Sequence, residues 1–467
     1  MNFQLLRTQL RKYFWYCRIY GVQSATRLAI RRLKKRDIPS RISHLPVPNL
    51  QIPGTQENLP LIDRKISAII PTLNAGDQFP LLLRKLKAQK GIRQIEIVVV
   101  DSGSSDDTVP FAKQHAATVV EIAPESFNHG LARNIGAEQA TGDYLLFTVQ
   151  DALPMTEQWL WELARVFERN DVVVVSCGEF PRSDCDLFYR LLMWCHYRHL
   201  HLDQDRFLGW DESCSSDMGL RTNSGISDLA ALFREDIFRR YKYHNGFAED
   251  LELGKRLIKD GHRLAFLYST RVLHSHNRPA YYYLKRGYVD SKFRNEVFPG
   301  ALIEISDGAA LMRDIVAVYE RTRSVAHTIC RNSSCQSVSE LIDRIRALYH
   351  QVPAGLIAAE NTPGDDRFDE FVGTLAANCK LNDDRYDAKT NMILPHLLAH
   401  IAELENYLSG IYETIDSDLI NEVASALRKM VALHAGNHMG YWYATALDSG
   451  RCDGWLLQID KMLQSGV

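Results

Sequence analysis

The strongest constraint on the fold is an alternation of short apolar runs with helix-forming segments. The apolar runs have the length of buried strands and lie at 65–71, 95–100, 118–122, 144–148 and 172–176. The helix-forming segments lie between them, at 81–90, 109–116, 132–140 and 158–169. This alternation predicts an α/β fold with a mostly parallel sheet and helices on both faces. Ligands of such sheets bind at the carboxyl ends of the strands.

The flanking segments differ from this core and divide the chain into four parts. Residues 1–45 predict a basic amphipathic helical arm, and residues 46–64, which are rich in proline, predict a linker. Residues 65–300 form the α/β domain, and residues 301–467 predict a helical C-terminal domain. Within the α/β domain, residues 203–225 are polar and rich in Gly, Ser and Asp, which predicts a long loop that acts as a lid or binding loop.

Charge is distributed unevenly along the chain. The formal net charge is −2, yet residues 1–41 contain eleven Lys or Arg and a single acid, Asp37. Such an arm predicts docking on an anionic membrane surface, where each basic residue contributes about 1 kcal/mol. The alternative is a solvated helix packed on the protein body. No nucleic acid partner is expected, because no other segment is basic.

Composition and cysteine usage narrow the class of protein further. Hydrophobic residues make up 46% of the chain and charged residues 24%, as in ordinary globular proteins. No apolar run approaches the roughly 18 residues that span a bilayer. The nine cysteines are scattered and lack metal-knuckle spacing, which indicates free thiols in a reducing compartment. We therefore predict a cytoplasmic protein that can lie peripherally on the inner face of the cell membrane.

Acidic residues stand at the ends of predicted elements. Asp101 ends the second strand, Asp151 follows the fourth strand, and Glu249 and Asp250 open a predicted helix. Taken singly, each has a structural interpretation as a turn residue, a helix cap or a complement to a helix dipole. Taken together, acids at the ends of strands mark the edge of the sheet where ligands of parallel sheets bind.

Two histidines follow a further strand-like segment at 264–273. His274 and His276 are two positions apart. Residues i and i+2 of a strand share one face, so both imidazoles can point into the same site.

Five motifs, in this order, resemble those of inverting glycosyltransferases of the GT-A fold. They are Ile70-Pro-Thr-Leu-Asn74, Val100-Asp-Ser-Gly-Ser-Ser-Asp-Asp-Thr108, Ala132-Arg-Asn-Ile-Gly136, Thr148-Val-Gln-Asp-Ala-Leu-Pro154 and Ala248-Glu-Asp250. Three shorter runs resemble the bacterial rhamnosyltransferase branch of that family: Phe127-Asn-His-Gly130, Gln150-Asp-Ala-Leu-Pro154 and His274-Ser-His-Asn277. The resemblance covers residues 65 to 295.

The resemblance implies a nucleotide-sugar donor and assigns residues to it. Thr72, Asn74 and Asp101 are expected to line the nucleoside pocket. A carboxylate there can accept the imide N–H of uracil or thymine. Arg133 and Asn134 are expected to contact the diphosphate or another part of the donor, since the guanidinium fork suits phosphate.

The resemblance also implies a divalent metal, Mg²⁺ or Mn²⁺, that stabilises the leaving diphosphate. Asp151 matches the last acid of the family's metal motif, and an imidazole completes the site, with His276 as first choice and His274 as second. Val149 stands where the first acid of the motif is usual. Gln150 carries no charge but can hydrogen-bond the donor.

The implied reaction is a single displacement with inversion, in which Asp250 is the general base and Glu249 orients it or takes that role itself. The predicted donor is dTDP-β-L-rhamnose, and the acceptor is a hydroxyl of a surface polysaccharide or a lipid-linked glycan. One alternative keeps this mechanism with a UDP- or GDP-hexose donor. An alternative of another class is a non-catalytic nucleotide- or glycan-binding scaffold, which the missing first acid of the metal motif favours.

Overall fold

The computed structural model describes residues 59–464 except for ten short stretches. These stretches are residues 116, 169–170, 245–247, 299–304, 306, 332–334, 352–365, 379–391, 413 and 449–453. The predicted basic arm at 1–45 and most of the predicted linker at 46–64 lie outside the described residues. Within the part of the chain that is described, no helix is both long and apolar enough to cross a bilayer.

A single nine-stranded sheet organises the described α/β region. Its strands are β1 (Ile62–Thr72), β2 (Ile92–Asp101), β3 (Thr118–Glu121), β4 (Tyr144–Thr148), β5 (Leu153–Pro154), β6 (Val172–Phe180), β7 (Arg206–Leu208), β8 (Ala230–Arg234) and β9 (Arg263–Leu273). The strand order is β3-β2-β1-β4-β8-β6-β9-β5, and β7 pairs with β9.

Most of the sheet runs in one direction. β3, β2, β1 and β4 are parallel neighbours. β8 is antiparallel to both β4 and β6, and β6 is parallel to β9. The carboxyl ends of β1, β2, β4, β6 and β9 therefore lie along one edge, which we call the carboxyl edge. Apart from the arm at 1–45, the predicted fold class is confirmed.

Nine helices of the described chain surround or follow the strands. They are α1 (Gln78–Lys87), α2 (Thr108–Gln114), α3 (His129–Gln139), α4 (Trp159–Ala164), α5 (Leu187–His199), α6 (Asp217–Asn223), α7 (Glu235–Tyr241), α8 (Glu249–Lys259) and α9 (Ala280–Val297).

Close packing fixes α3 on the sheet. A Cβ atom added to Gly136 would lie 2.4 Å from Ile69 Cγ2 and 3.0 Å from Val100 Cγ2, so the helix backbone rests directly on β1 and β2. Because protein interiors are close-packed, this contact determines where the first turn of α3 lies relative to the carboxyl edge.

The long loop predicted at 203–225 is wrong in part, because this segment contains β7, a 3₁₀ turn at Glu212–Ser215 and α6. The polar residues that predicted a loop serve as caps instead. Asp211 Oδ1 accepts the backbone N–H of Ser213, and Ser216 Oγ accepts the N–H of Gly219.

The C-terminal region is helical, as predicted. Its helices are α10 (Gly308–Arg331), α11 (Val338–Gln351), α12 (Asp366–Asn378), α13 (Leu394–Leu408), α14 (Ser417–Asp448) and α15 (Gly454–Gln464). Glycines bring α9 and α14 into backbone contact. Cβ atoms added to Gly287, Gly436 and Gly440 would lie 2.4, 2.0 and 2.5 Å from the carbonyl oxygens of Leu433, Leu284 and Tyr288.

Candidate active site

The carboxyl edge gathers the predicted polar residues. Asp101 is the last residue of β2, and Asp151 follows β4 by three positions. His274 directly follows β9. Asp228 precedes the antiparallel strand β8, which brings it to this edge as well, and Thr148 Oγ1 of β4 donates to the carbonyl of Leu229 beside it. Ligands of parallel sheets bind at this edge.

Asp101 organises the loop that follows β2. Its carboxylate, 1% exposed, accepts four hydrogen bonds from the protein. Thr72 Oγ1 donates to Oδ2 at 2.8 Å, and the backbone N–H groups of Gly103 and Ser104 donate to Oδ1 at 3.0 and 2.8 Å. The Ser104 hydroxyl donates to Oδ2 at 2.6 Å. The carboxylate is thus occupied by its own loop, so a nucleobase N–H can reach it only if the Ser104 hydroxyl turns away.

Asn74 and Gln150 also bond to the protein backbone in this region. Asn74 has a left-handed backbone with φ of 46°, and its Oδ1 accepts the backbone N–H of Ser105 at 2.9 Å. Gln150 forms two hydrogen bonds with the backbone of Leu73. Gln150 Oε1 accepts the Leu73 N–H at 2.9 Å, and Gln150 Nε2 donates to the Leu73 carbonyl at 3.3 Å. The amide therefore ties the end of β4 to the end of β1.

Asp151, His274 and His276 form a cluster that can hold a metal ion. One potential ligand atom of each lies within 4.8 Å of the others. Nε2 of His274 is 3.6 Å from Asp151 Oδ1, and Nε2 of His276 is 3.8 Å from Asp151 Oδ2. Burial lowers the pKa of His276 to about 4, so this imidazole is neutral and free to coordinate near pH 7.

Two residues that the motifs do not contain orient His274. Its Nδ1 lies 2.5 Å from Glu179 Oε2 and 3.3 Å from the Tyr189 hydroxyl, which itself donates to Glu179 at 2.9 Å. With Nδ1–H donated to Glu179, the Nε2 lone pair points towards Asp151. This carboxylate–imidazole arrangement is typical of metal-ligating histidines. Glu179 could be anticipated only from its position near the carboxyl end of β6.

Glu249 and Asp250 begin α8 but lie in different environments. Glu249 is 7% exposed and accepts from Arg133 at 3.1 Å. Asp250 is partly exposed, and its Oδ1 accepts the N–H of Leu251 at 2.8 Å. Glu249 is thus bound within the protein, whereas Asp250 retains some exposure. The residue before them, Ala248, has a left-handed backbone with φ of 61°, which for a residue with a Cβ costs about 1–3 kcal/mol and is typical of functional sites.

Arg133 is a buried bridge between acids. It is 1% exposed, and its guanidinium also lies 2.5 Å from Asp228 Oδ2. Asn134, the next residue, pairs with the backbone of Tyr243 through both atoms of its amide. Arg133 and Asn134 thus bind other parts of the protein, and the predicted role of both in donor contact has no support in these bonds.

The surroundings of the first turn of α8 raise the pKa values of Glu249 and Asp250. Burial, followed by the negative charges of Asp228 and Glu249, raises the pKa of Asp250 well above its ordinary range. Burial and the charge of Asp228 raise the pKa of Glu249 as well, and Arg133 opposes this increase. A carboxylate in such surroundings is a stronger base than one in water. Asp228 was not identified from the sequence, because no motif includes it.

Basic side chains face Asp250 from other helices. Arg221 of α6 interacts electrostatically with Asp250 and Asp290, and also with the like charge of Arg294 on α9. Arg286, also on α9, pairs with Asp290 at 2.9 Å. Positive charge on α6 and α9 therefore lies near Asp250.

A mostly parallel sheet with acidic residues and a metal-type cluster at its carboxyl edge has the features of a nucleotide-sugar transferase. Residues 67–224 match the family model described as "Glycosyl transferase family 2". The chain therefore contains a family 2 glycosyltransferase domain, and the family predicted from the motifs is confirmed.

Two relatives from Salmonella support this class. The chain is 29% identical to the O-antigen chain rhamnosyltransferase of Salmonella typhimurium, over 46% of this chain and 67% of that one. It is 26% identical to the O-antigen chain rhamnosyltransferase of Salmonella anatum, over 45% of this chain and 65% of that one. The chain thus spans about two thirds of the length of these relatives. A mannosyltransferase from Pyrobaculum calidifontis, solved with GDP-mannose and Mn²⁺, aligns at 16% identity with a TM-score of 0.37, over 84% of this chain and 88% of that one.

Proposed function

We propose that this protein transfers L-rhamnose from dTDP-β-L-rhamnose, with inversion, to a hydroxyl of a surface polysaccharide or a lipid-linked glycan. The observations that support the proposal are the Asp151–His274–His276 cluster beside the ends of β4 and β9, and the buried Arg133 that joins Glu249 to Asp228 just before β8. The donor sugar is inferred from the two Salmonella relatives, whose names describe O-antigen chain rhamnosyltransferases.

Asp250 is the general base of this proposal. It takes the proton of the acceptor hydroxyl while that oxygen forms a bond to the anomeric carbon and the bond from that carbon to the diphosphate oxygen breaks. Attack from the face opposite the diphosphate inverts the anomeric centre. Glu249, which is bound to Arg133, positions the first turn of α8. Thr72, Asn74 and Asp101 order the loops that border the nucleoside.

A divalent metal, Mn²⁺ or Mg²⁺, fits the cluster of one carboxylate and two imidazoles. Asp151, His276 and His274 would hold it, and Glu179 would keep the His274 ring in the coordinating orientation. When bound, the ion supplies positive charge that stabilises the departing diphosphate. Imidazole ligands favour Mn²⁺ over Mg²⁺, which prefers oxygen. Gln150 keeps the ends of β1 and β4 together beside this cluster.

A panel of nucleotide sugars tests the donor. We expect turnover of dTDP-β-L-rhamnose that depends on Mn²⁺, with little turnover of UDP- or GDP-hexoses. Clear turnover of a UDP- or GDP-hexose with none of dTDP-rhamnose would retain the mechanism and reject the rhamnose assignment. Nucleotide binding without any transfer, unaffected by Mn²⁺ or Mg²⁺, would favour the scaffold alternative.

The basic residues of segment 1–41 suggest a place of action. We propose that this segment docks the cytoplasmic enzyme on the anionic inner leaflet, where a lipid-linked acceptor would lie. Deletion of residues 2–41 should then reduce sedimentation with anionic liposomes, whereas neutral liposomes serve as the control. Equal sedimentation of both forms with anionic liposomes would assign the segment to the protein body.

A further inference from the structure

Four histidines form a second cluster in the C-terminal helical region, and none of them belongs to the candidate active site. His396 and His400 are one helical turn apart on α13, and His434 and His438 have the same spacing on α14. Two histidines at positions i and i+4 lie on one face of a helix and can bind one metal ion together. Here two such pairs are brought together by the packing of α13 against α14.

Measured distances connect the four rings across the two helices. His400 Nδ1 lies 3.3 Å from His434 Nε2. Ring centroids are 5.4 Å apart for His400 and His434, 5.1 Å for His396 and His438, and 6.3 Å for His396 and His434. For Zn–N bonds of about 2.0–2.1 Å, tetrahedral ligand nitrogens lie about 3.3 Å apart and their ring centres about 5 Å apart. His400 and His434 already have this nitrogen spacing, and the His396 and His438 rings must turn to bring a third and a fourth nitrogen to the same ion.

The chemical state of the rings also suits coordination. His438 is 3% exposed, and its Nδ1 lies 2.7 Å from the carbonyl oxygen of His434. Its Nε2 is buried and makes no hydrogen bond of normal geometry, although the backbone of Met392 is close. Burial lowers the pKa of His400 and of His438 to about 4, and lowers that of His434 further below its ordinary value. The imidazoles are therefore neutral at pH 7, which is the form that binds metals.

No carboxylate pairs with any of these four rings among the residues that the structure describes. Besides one another, the rings contact an aromatic side chain, since Phe188 lies 6.0 Å from His400 between centroids. An all-imidazole ligand set suits Zn²⁺, Cu²⁺ or Ni²⁺ and is unsuited to Mg²⁺, which prefers oxygen. This separates the cluster chemically from the one around Asp151.

We propose that His396, His400, His434 and His438 form a binding site for a late first-row transition-metal ion of the Zn²⁺ class. The ion would join α13 to α14. Because α14 packs on α9 through backbone contacts at Gly436 and Gly440, such a link would brace the helices that adjoin the glycosyltransferase domain.

Zn²⁺ binding to the full-length chain tests this proposal. The starting protein carries Asp151→Asn and His276→Gln, which disable the active-site cluster. We expect it to bind one equivalent of Zn²⁺ in competition with a chromophoric chelator. Addition of His400→Gln and His434→Gln should abolish that binding, and His350→Gln, at an exposed position on α11, is the matched control. His400→Gln alone and His434→Gln alone should each weaken Zn²⁺ binding. The loss should exceed the roughly 10–100-fold that follows removal of a residue that only orients a ligand.

A second measurement keeps the test decisive if the double substitution prevents folding. Co²⁺ bound to the starting protein should give the intense visible absorption of four-coordinate cobalt, and His396→Gln alone should diminish it. Zn²⁺ should also raise the thermal midpoint of the starting protein but not that of the His396→Gln form. Absence of stoichiometric Zn²⁺ binding, or binding unchanged by the His400, His434 and His396 substitutions, would overturn the proposal.

Discussion

The guanidinium of Arg133 lies 3.1 Å from the carboxylate of Glu249, a residue 116 positions later in the chain. This bond joins α3 to the first turn of α8, and it engages one of two adjacent acids inside the protein. The neighbouring acid, Asp250, is left partly exposed with a raised pKa. Arg133 thus gives different surroundings to two residues that the sequence presents as a pair.

Replacement of Asp250 by Asn should reduce transfer by about 10²–10⁴-fold, because a general base acts in the transition state. Donor binding should change little, since the amide keeps the shape of the side chain. Turnover and donor affinity measured on the same preparation check this. Glu252→Gln, on the same helix, is the matched control and should stay active. Most of the activity surviving in Asp250→Asn would assign the base elsewhere.

Replacement of Asp228 by Asn should move the acid limb of kcat/KM to lower pH. The base is active when deprotonated, so activity falls as pH decreases through its pKa. Asp228 is the largest charge contribution that raises the pKa of Asp250, and its removal should lower that pKa. The pH profiles of both forms check this, with the exposed Asp236→Asn as control. An acid limb that stays in place or moves upward would contradict the electrostatic account.

Replacement of Asp151 by Ala should abolish transfer at ordinary Mn²⁺ concentration. Any transfer that remains should require a much higher Mn²⁺ concentration. This substitution removes the single carboxylate of the cluster. Mn²⁺ binding followed by electron paramagnetic resonance measures the loss without reference to turnover. Asp184→Ala, an exposed acid in the loop after β6, should bind Mn²⁺ like the unmodified protein. Unchanged metal dependence in Asp151→Ala would mean that other residues hold the ion.

Replacement of Glu179 by Gln should weaken Mn²⁺ binding by about 10–100-fold, the usual effect of losing an outer-shell carboxylate. The amide keeps the size of the side chain but no longer holds His274 through a charged hydrogen bond. The same resonance titration measures the change. Affinity equal to that of the unmodified protein would exclude His274 from the ligand set and leave Asp151 with His276.

Replacement of Gly254 by Ala should destabilise the protein by about 1–3 kcal/mol, the usual cost of overpacking. A Cβ atom there would lie 1.9 Å from the carbonyl oxygen of Ser224, so α8 and its acids must shift. Gly373→Ala on α12 is the matched control. A Cβ atom at position 373 meets no atom within 4 Å, so this substitution should stabilise the folded protein by about 0.5–1 kcal/mol. Denaturant unfolding measures both, and similar effects of the two substitutions would contradict this packing.

Local patterns in the sequence predicted six of the nine strands and the acids at the ends of β2 and β4, whereas β5, β7 and β8 were not predicted. The register of β1 with β2 brings Thr72 beside Asp101, and this follows from short, regular spacings. The partners of these residues could not be predicted in the same way. Glu179 meets His274 across 95 positions, and Arg133 meets Asp228 only after the sheet has formed. The two histidine pairs on α13 and α14 were likewise missed, because their convergence depends on how two distant helices pack.

The glycine contacts between α9 and α14 limit how the enzyme can admit its substrates. With Gly436 against the carbonyl of Leu284, the two helices leave no room for sliding or tilting without breaking backbone contacts. α14 is therefore held in one position against α9. We expect substrate entry and release to depend on the loops at the strand ends, and a drug-like molecule that stiffens those loops should stop turnover without competing for the sugar.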